Sequence, residues 1–445
     1  MGQGGIRYAA AFTAVSLAAG CMGDMGEMPF VSRSDAGVDA EVVAPSQAPL
    51  RATPTTHDET LNAESPVIQG LLARRSVLPS GSAYDRVATA VLAANARAAE
   101  TELRAARLRA SAASKNWLPT IGPRVSLNSL GDIISQIVVE QVIFDNGRKK
   151  GERAFAKADV EVAAVALAED TNARVASGLD LYLTAAEARE SAAVHRATLR
   201  EMEHFEYIMS ERVRGGVSDM SDLNVIRQKL AEIRAAIAAS EEAEATAISE
   251  LNAMSIQPLG DVRGLETLAV GGTAAQPLAV TRAEAEKERS IAQAQIDRAN
   301  QLPGITATAT AGENSGAGLT AGGTGIGFGT AGRLRAIEAA REAAGRQVAQ
   351  ANEDANRTLR RLEGQSAATA RQAGEARGLT AQAKTNLDLF QDQYRAGQRQ
   401  VMDVVGVYET FAARQVAEVL LKYEALRLQV ELARVQGVLA DGEQI

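Results

Sequence analysis

The stretch VIFDNGRKKGERAFAKADV, residues 142–160, changes character in its middle. Up to Phe144 it closes an apolar run that reaches back to Ile133. After Gly147-Arg148 it becomes alanine-rich and charged, and from there to Arg214 there is no proline and almost no glycine. At 1.5 Å per residue such a run makes a helix of about 100 Å, far longer than a globular domain needs. The stretch is therefore a joint between a strand and a very long helix.

The joint occurs twice. Phe144 and Gly147-Arg148 recur as Phe328 and Gly332-Arg333. Upstream, Asn116-Trp117-Leu118-Pro119 recurs as Asn300-Gln301-Leu302-Pro303. Downstream, Arg214-x-Gly216 with Asp222 recurs as Arg395-x-Gly397 with Asp403. The offsets are 184, 185 and 181 residues, in constant order, which marks an internal duplication. Each half reads helix, Leu-Pro, two short strands, Gly-Arg, long helix, glycine turn, long helix. Residues 120–128 alternate apolar Ile121, Val125 and Leu127 with polar Arg124, Ser126 and Asn128, and Ile305 to Ala311 alternates Thr with small apolar residues; both are strand periods. The last helix carries two seams at 4-3-4-3 spacing, Val419, Tyr423, Leu426, Val430, Ala433 and Leu421, Ala425, Leu428, Leu432, Val435. One seam means one partner helix, and two mean either a neighbour on each side or the broad core face of a long bundle.

Composition supports an elongated architecture. Of 445 residues 46% are hydrophobic but only 4% aromatic, so alanine at helical spacing takes over from large side chains. A net charge of −8 argues against a nucleic-acid partner, which needs a basic face. The single cysteine, Cys21, follows Arg7 and a short apolar core, Tyr8 to Leu17, in the manner of a secretory signal. Leu17-Ala18-Ala19-Gly20-Cys21 resembles a bacterial lipobox, with Ala18 where Leu, Val or Ile is usual, and Met22 rather than Asp fits outer-membrane sorting. No other segment is apolar enough for a membrane helix, so any crossing falls to strands.

Leu-Pro into a strand pair, then VIFDNGRKKGERAFAKADV, then YRAGQRQVMDVV and a final long helix resembles the outer-membrane factor family of TolC-like efflux and secretion channels, over roughly residues 82–440. The resemblance implies a mainly α fold with a transmembrane β-barrel. Four short strands per chain join a shared trimeric barrel, and long antiparallel hairpins form a periplasmic α-barrel. The expected divisions are signal peptide 1–20, lipid-anchored tether 21–81, first repeat helix 82–118, first strand pair 119–146, first hairpin 147–257, linker 258–278, second repeat helix 279–302, second strand pair 303–331, second hairpin 332–440 and tail 441–445. It also implies a homotrimer in outer-membrane lipid. Its expected partners are a periplasmic adaptor and an inner-membrane transporter of ABC or RND type, in type I secretion or multidrug efflux.

By position, Tyr394 and Arg399 match the family's aperture latch, with Ser221 and Asp222 as their partners. Asp403 matches the first of two entrance aspartates, and Gly406 stands where the second is expected. Gly216, Val217 and Gly397 fall at the hairpin tips, where the chain reverses and the family meets its adaptor. Gly147, Arg148, Gly332 and Arg333 mark the strand-to-helix joints.

Other functions have less support. A membrane-fusion adaptor also has long hairpins, but one of them between β-rich domains rather than two duplicated ones. Residues 327–332, GFGTAG, match the dinucleotide fingerprint with Glu353 and Asp354 some twenty residues on, yet the preceding residues 321–326 are too poor in large apolar side chains for a buried parallel strand. His57, His195 and His204 form no cluster with the single cysteine, and no hydrolase or P-loop motif occurs. The expectation is a duct without catalytic residues, metal or cofactor.

Overall fold

The computed structural model describes residues 65–94, 98–127, 133–270, 275–312, 315–323 and 327–444. Cys21, the signal segment and most of the tether lie outside the described residues. In chain order the elements are α1 (Pro66–Leu72), α2 (Ala83–Ala93), α3 (Ala98–Ser114), β1 (Thr120–Leu127), β2 (Ile133–Phe144), α4 (Arg148–Arg214), α5 (Met220–Met254), α6 (Leu278–Asn300), β3 (Gly304–Gly312), β4 (Gly316–Gly322), α7 (Thr330–Arg395) and α8 (Val401–Gln436). A short 3-10 turn, Gly442–Gln444, follows. The fold is mainly helical with one four-stranded antiparallel sheet in the order β1-β2-β3-β4, and both halves of the repeat follow the same plan. Among the described residues no helix is long and apolar enough to cross a membrane.

α4 and α7, of 67 and 66 residues, are the two rods expected after the joints. α4 is the spine, packing along its length against α2, α3, α5, α6 and α8. Three separate apolar clusters line it. Near the sheet, Ala156, Val160 and Leu167 meet Leu103, Ala106 and Leu278. At mid-length Val175, Leu179 and Leu183 meet Tyr84, Leu251, Leu259, Val419 and Val430. At the far end Met202, Phe205 and Met209 meet the two hairpin tips. Small residues permit the close approaches: a Cβ on Gly151 would lie 3.0 Å from Ile296, and one on Gly178 3.0 Å from Val91. The first α8 seam, Val419, Tyr423, Val430 and Ala433, is buried, while Leu426, Leu428 and Val435 are partly so, as a helix between two neighbours requires. Those neighbours are α4 and α7.

Polar ties fix α8 to α4. Lys422 Nζ and Tyr423 Oη both reach Glu190, at 2.8 Å to Oε2, and Arg427 joins Asp180 and Glu187 at 3.2 and 2.6 Å. Burial, followed by the facing Glu190, pushes the Tyr423 phenol well above its ordinary range.

Two divisions differ from expectation. The first repeat helix is two helices, α2 and α3, rather than one. The tether also ends earlier than residue 81. Ser65 caps α1 through the amide of Ile68 (3.2 Å), Pro66 takes the first helical position, and Ile68 and Leu71 are buried. Arg74, 8% exposed, donates from Nη1 to the carbonyl of Gln436 (2.6 Å) and from Nη2 to that of Gln276 (2.7 Å). It thereby occupies the negative end of α8, where a cation is favourable. The C-terminal residues complete the clasp: Gly442 N–H donates to the Arg74 carbonyl and Ser76 N–H to Asp441 Oδ1. Gly437, at φ 68°, closes α8, and a Cβ there would lie 2.5 Å from Leu278 and 2.6 Å from Arg74.

Arg74→Ala leaves buried carbonyls without a charged donor and should destabilise the folded chain by about 2–3 kcal/mol. Helical circular dichroism during thermal unfolding would read this as a lowered midpoint. An unchanged midpoint would show that the clasp carries no stability.

Candidate functional site

The two hairpin tips are built alike. In the first, α4 ends at Arg214, and Gly216 N–H and Val217 N–H return to the carbonyls of Val213 (3.0 Å) and Arg212 (2.8 Å). In the second, α7 ends at Arg395, and Gly397 and Gln398 return to Tyr394 and Gln393, both at 2.9 Å. This paired closure needs a left-handed residue, and Gly216 and Gly397 supply it at φ 72° and 74°. The second helix of each hairpin begins at Met220 and Val401, four residues after its glycine. Asp219 caps α5 by accepting the Ser221 amide, a bond that holds its carboxyl below the usual range. Gln400 caps α8 in a reciprocal box with Asp403, whose Oδ2 accepts the Gln400 amide at 3.1 Å. Asp222 and Asp403 occupy the same position in the first turn, where negative charge complements the helix dipole. The repeated Arg-x-Gly…Asp pattern thus encodes a stop, a reversal and a start.

Below the turns the tips are held together. Leu223, Ile226 and Leu230 of α5 and Val401, Val404, Val405, Tyr408 and Phe411 of α8 close over Met202, Phe205 and Met209. Phe205, Tyr408 and Phe411 form an edge-to-face string with centroids 6.1 Å apart. Lys229 of α5 also pairs with Glu409 of α8.

The predicted latch residues are distributed as follows. Arg399 turns onto its own hairpin: Nε donates to Gln393 Oε1 at 3.0 Å and the guanidinium lies 4.4 Å from the Phe390 ring centroid. Tyr394 is half-buried against the tip cluster, Ser221 is exposed, and Asp222 is in the first turn of α5. Among the described residues the chain brings Arg399 and Asp222 into no ion pair. Val217 is 66% exposed at the outer turn, beside Met220 at 51%. The Phe390 platform was not foreseen from sequence, although an aromatic nine residues before Arg399 reaches it by reversing through the glycine turn.

At the opposite end lies the sheet, whose register separates two faces. Ile121, Pro123 and Val125 oppose Val139, Ile137 and Ser135; Ile137 and Val139 oppose Ala311 and Ala309; Ala309 and Ala307 oppose Ala317 and Leu319. This face is almost wholly apolar, yet Ile121, Val125 and Leu319 are 66–75% exposed. The other face carries Arg124 and Glu140, 3.0 Å apart, and Thr306, Thr308, Thr310 and Thr320. The outer edges of β1 and β4 pair with no strand among the described residues.

The strand-to-helix joints are less alike than the sequence suggests. Gly147 is left-handed (φ 86°) and precedes α4, with Asp145 accepting the amides of Gly147 and Lys149. Gly332 instead lies inside the first turn of α7, which Gly329 opens with ordinary helical angles. The reversal at Gly147 rests on its positive φ, and Gly332 has no such role. Arg148 pairs with Glu152 (3.4 Å), whereas Arg333 reaches Gln301 (3.1 Å). Around the joints Trp117, Phe144 and Phe328 are all more than half exposed, an aromatic collar missed in the sequence because its members are so far apart. The strand before residues 327–332 is an antiparallel edge strand, which removes the dinucleotide reading.

By sequence, no family model and no curated protein matches the chain. By structure it is similar to a membrane protein from Pseudomonas aeruginosa, with a TM-score of 0.71 and 17% identity over 82% of this chain and 92% of that one. It is also similar to the outer membrane protein VceC of Vibrio cholerae (0.65, 17% identity, 86% and 99%) and to the CmeC outer membrane channel of Campylobacter jejuni (0.65, 12% identity, 92% and 94%). The chain therefore has the outer-membrane-factor fold.

Replacing Gly397 by Ala forces a Cβ into the left-handed region at no steric contact, and should cost about 1–2 kcal/mol. Gly437→Ala meets Leu278 and Arg74 as well and should cost more. Thermal midpoints of the two variants rank the effects; a larger loss at Gly397 would contradict this reading of the turns.

Proposed function

We propose that this chain is an outer-membrane factor: three copies form a duct that conducts substrate from a periplasmic adaptor and inner-membrane transporter to the exterior. The observation that carries the proposal is the sheet, with one apolar exposed face, one polar face and two unpaired edges. A sheet of this kind is stable in lipid only when its edges close, because unpaired amides and carbonyls have no water there. Three four-stranded contributions give an even-numbered closed barrel with the apolar face to lipid and Arg124, Glu140 and the threonines to the lumen. Trp117, Phe144 and Phe328 then sit at the level where aromatic girdles flank the hydrocarbon band.

In this reading Cys21 carries the lipid, and α4, α5, α7 and α8 cross the periplasm. The entrance lies at the tips. It is closed in each chain by the apolar cluster around Phe205 and Tyr408, and between chains by Arg399 and Tyr394 of one copy facing Ser221 and Asp222 of the next. Asp403 gives the entrance a single acidic ring, since Gly406 contributes no second. Val217, Met220 and Gly216 offer the outer tip to the adaptor. The transporter, ABC or RND, provides the energy, for type I secretion or multidrug efflux.

Single-channel recording in planar bilayers tests the duct. The purified protein should give discrete conductance steps, and Arg399→Ala should raise the resting conductance several-fold. Absence of channels overturns the duct, and channels indifferent to Arg399→Ala overturn the latch. For the tip contact, a Val217→Asp, Met220→Asp double variant should lose adaptor co-purification while remaining oligomeric; undiminished co-purification would place the contact elsewhere.

A further inference from the structure

Among the described residues the four strands carry two ionisable side chains, Arg124 on β1 and Glu140 on β2, and these pair with each other at 3.0 Å. Both lie on the polar face, with side chains 53% and 44% exposed. The pairing is diagonal. Arg124 faces Gln136 across the ladder, whereas Glu140 faces Thr120, four residues nearer the joint. At about 3.3 Å per residue their backbones are offset by about 13 Å along the strands, so both side chains lie along the wall to meet. Gly122, midway between them on β1, puts no side chain in the path. Val138, which faces Gly122, is 5% exposed although no helix folds back across the sheet, as a residue beneath such a bridge should be.

Stability does not account for the pair, because an ion pair this exposed contributes little. The internal repeat makes the same point. Leu118 matches Leu302, and the same offset of 184 residues puts Thr308 in the place of Arg124. Gly304 likewise stands for Thr120 and faces Gly322, which therefore takes the place of Glu140. Both charges are missing together from the second strand pair, and β3 and β4 still pair in unbroken register. The strands need no charge to associate, and an ionisable group at membrane depth is costly unless it serves passage.

The neighbouring charges do not reach this part of the wall. At the joint Asp145 accepts the amides of Gly147 and Lys149, and Arg148 pairs with Glu152. Asp132 and Glu313, past the far ends of the strands in sequence, lie outside the described residues. Between these limits the polar face holds one base and one acid, bound to each other.

We infer that Arg124 and Glu140 set the electrostatic potential of the barrel's mid-section. Laid along the wall and neutralising each other, they let cargo of either sign through, and loss of one partner makes the segment sort by charge. The inference rests on the duct reading, which turns the polar face to the lumen. Three copies multiply the effect: without the acid the wall carries three unpaired guanidinium groups, and without the base three carboxylates.

Thiol labelling in phospholipid nanodiscs tests it. Thr308 of β3 faces Glu140 and shares its side of the sheet. In a Cys21→Ser background, Thr308→Cys should react with a cationic and an anionic methanethiosulfonate in nearly the ratio of a free thiol in solution. Adding Glu140→Gln should favour the anionic reagent several-fold, and adding Arg124→Gln instead should favour the cationic one by a similar factor. Both substitutions together, or the exchange Arg124→Glu with Glu140→Arg, should return the first ratio. Leu319→Cys, on the apolar face, should resist both reagents. Ratios that ignore both single substitutions, with Leu319→Cys still protected, overturn the inference and leave the duct standing. Single variants that no longer form detergent-stable oligomers would make the pair structural and overturn it as well. A Leu319→Cys that reacts as fast as Thr308→Cys overturns the duct itself.

Discussion

The outer edges of β1 and β4 present backbone amides and carbonyls that no strand of the described chain accepts, and the sheet between them exposes a continuous apolar face. Either feature alone is manageable in water: an edge can be charged or twisted away, and an apolar face can be covered by a helix. Among the described residues the sheet has neither remedy, because α4 and α7 leave from its end rather than folding back across it. Lipid on one face and further strands at both edges satisfy both requirements at once. That condition propagates into the helical half. Each strand pair feeds a rod, so in the proposed duct closing the strands into a ring would arrange the rods in a ring.

The rods divide their stability by height. Near the sheet and at mid-length, α4 is fixed by two apolar clusters, by Glu190 with Lys422 and Tyr423, and by Arg427 with Asp180 and Glu187. The Arg74 clasp and the C-terminal turn reinforce the same region. The tips form a cluster of their own, joined to the rest only through the helices that enter it. A conformational change confined to the tips therefore breaks one compact set of contacts, centred on Phe205 and Tyr408, and leaves the middle of the molecule untouched. In the proposed duct this is the arrangement an entrance needs, a local closure on a rigid tube.

Much of the fold was legible because the repeat is written in residues whose roles are local. The strand-helix-turn-helix order followed from proline positions and helical runs, and the tip motifs followed from glycine and first-turn aspartate, which act through their own backbone. The two seams of α8 foretold its two neighbours. What escaped notice depended on distant partners. Nothing in the sequence around Arg74 says that its guanidinium reaches residues 276 and 436, so the order that begins at Ser65 is not legible there. Gly147 and Gly332 occupy matching places in the repeat, yet only the first is left-handed, because the second joint enters its helix three residues earlier. Resemblance gives Arg399 a carboxylate partner on another hairpin, and no sequence signal shows that within the chain it rests on Phe390. Such pairings are set by which helix faces meet, and periodicity does not record them.

The central claim is that the sheet edges close only between copies. Electron cryomicroscopy of the detergent-extracted particle measures this most directly. The account predicts a hollow cylinder with three-fold symmetry, in which β4 of one copy pairs with β1 of the next and the strand ring continues into a ring of rods. A particle of one chain, or an oligomer whose β1 and β4 edges remain unpaired, would contradict it.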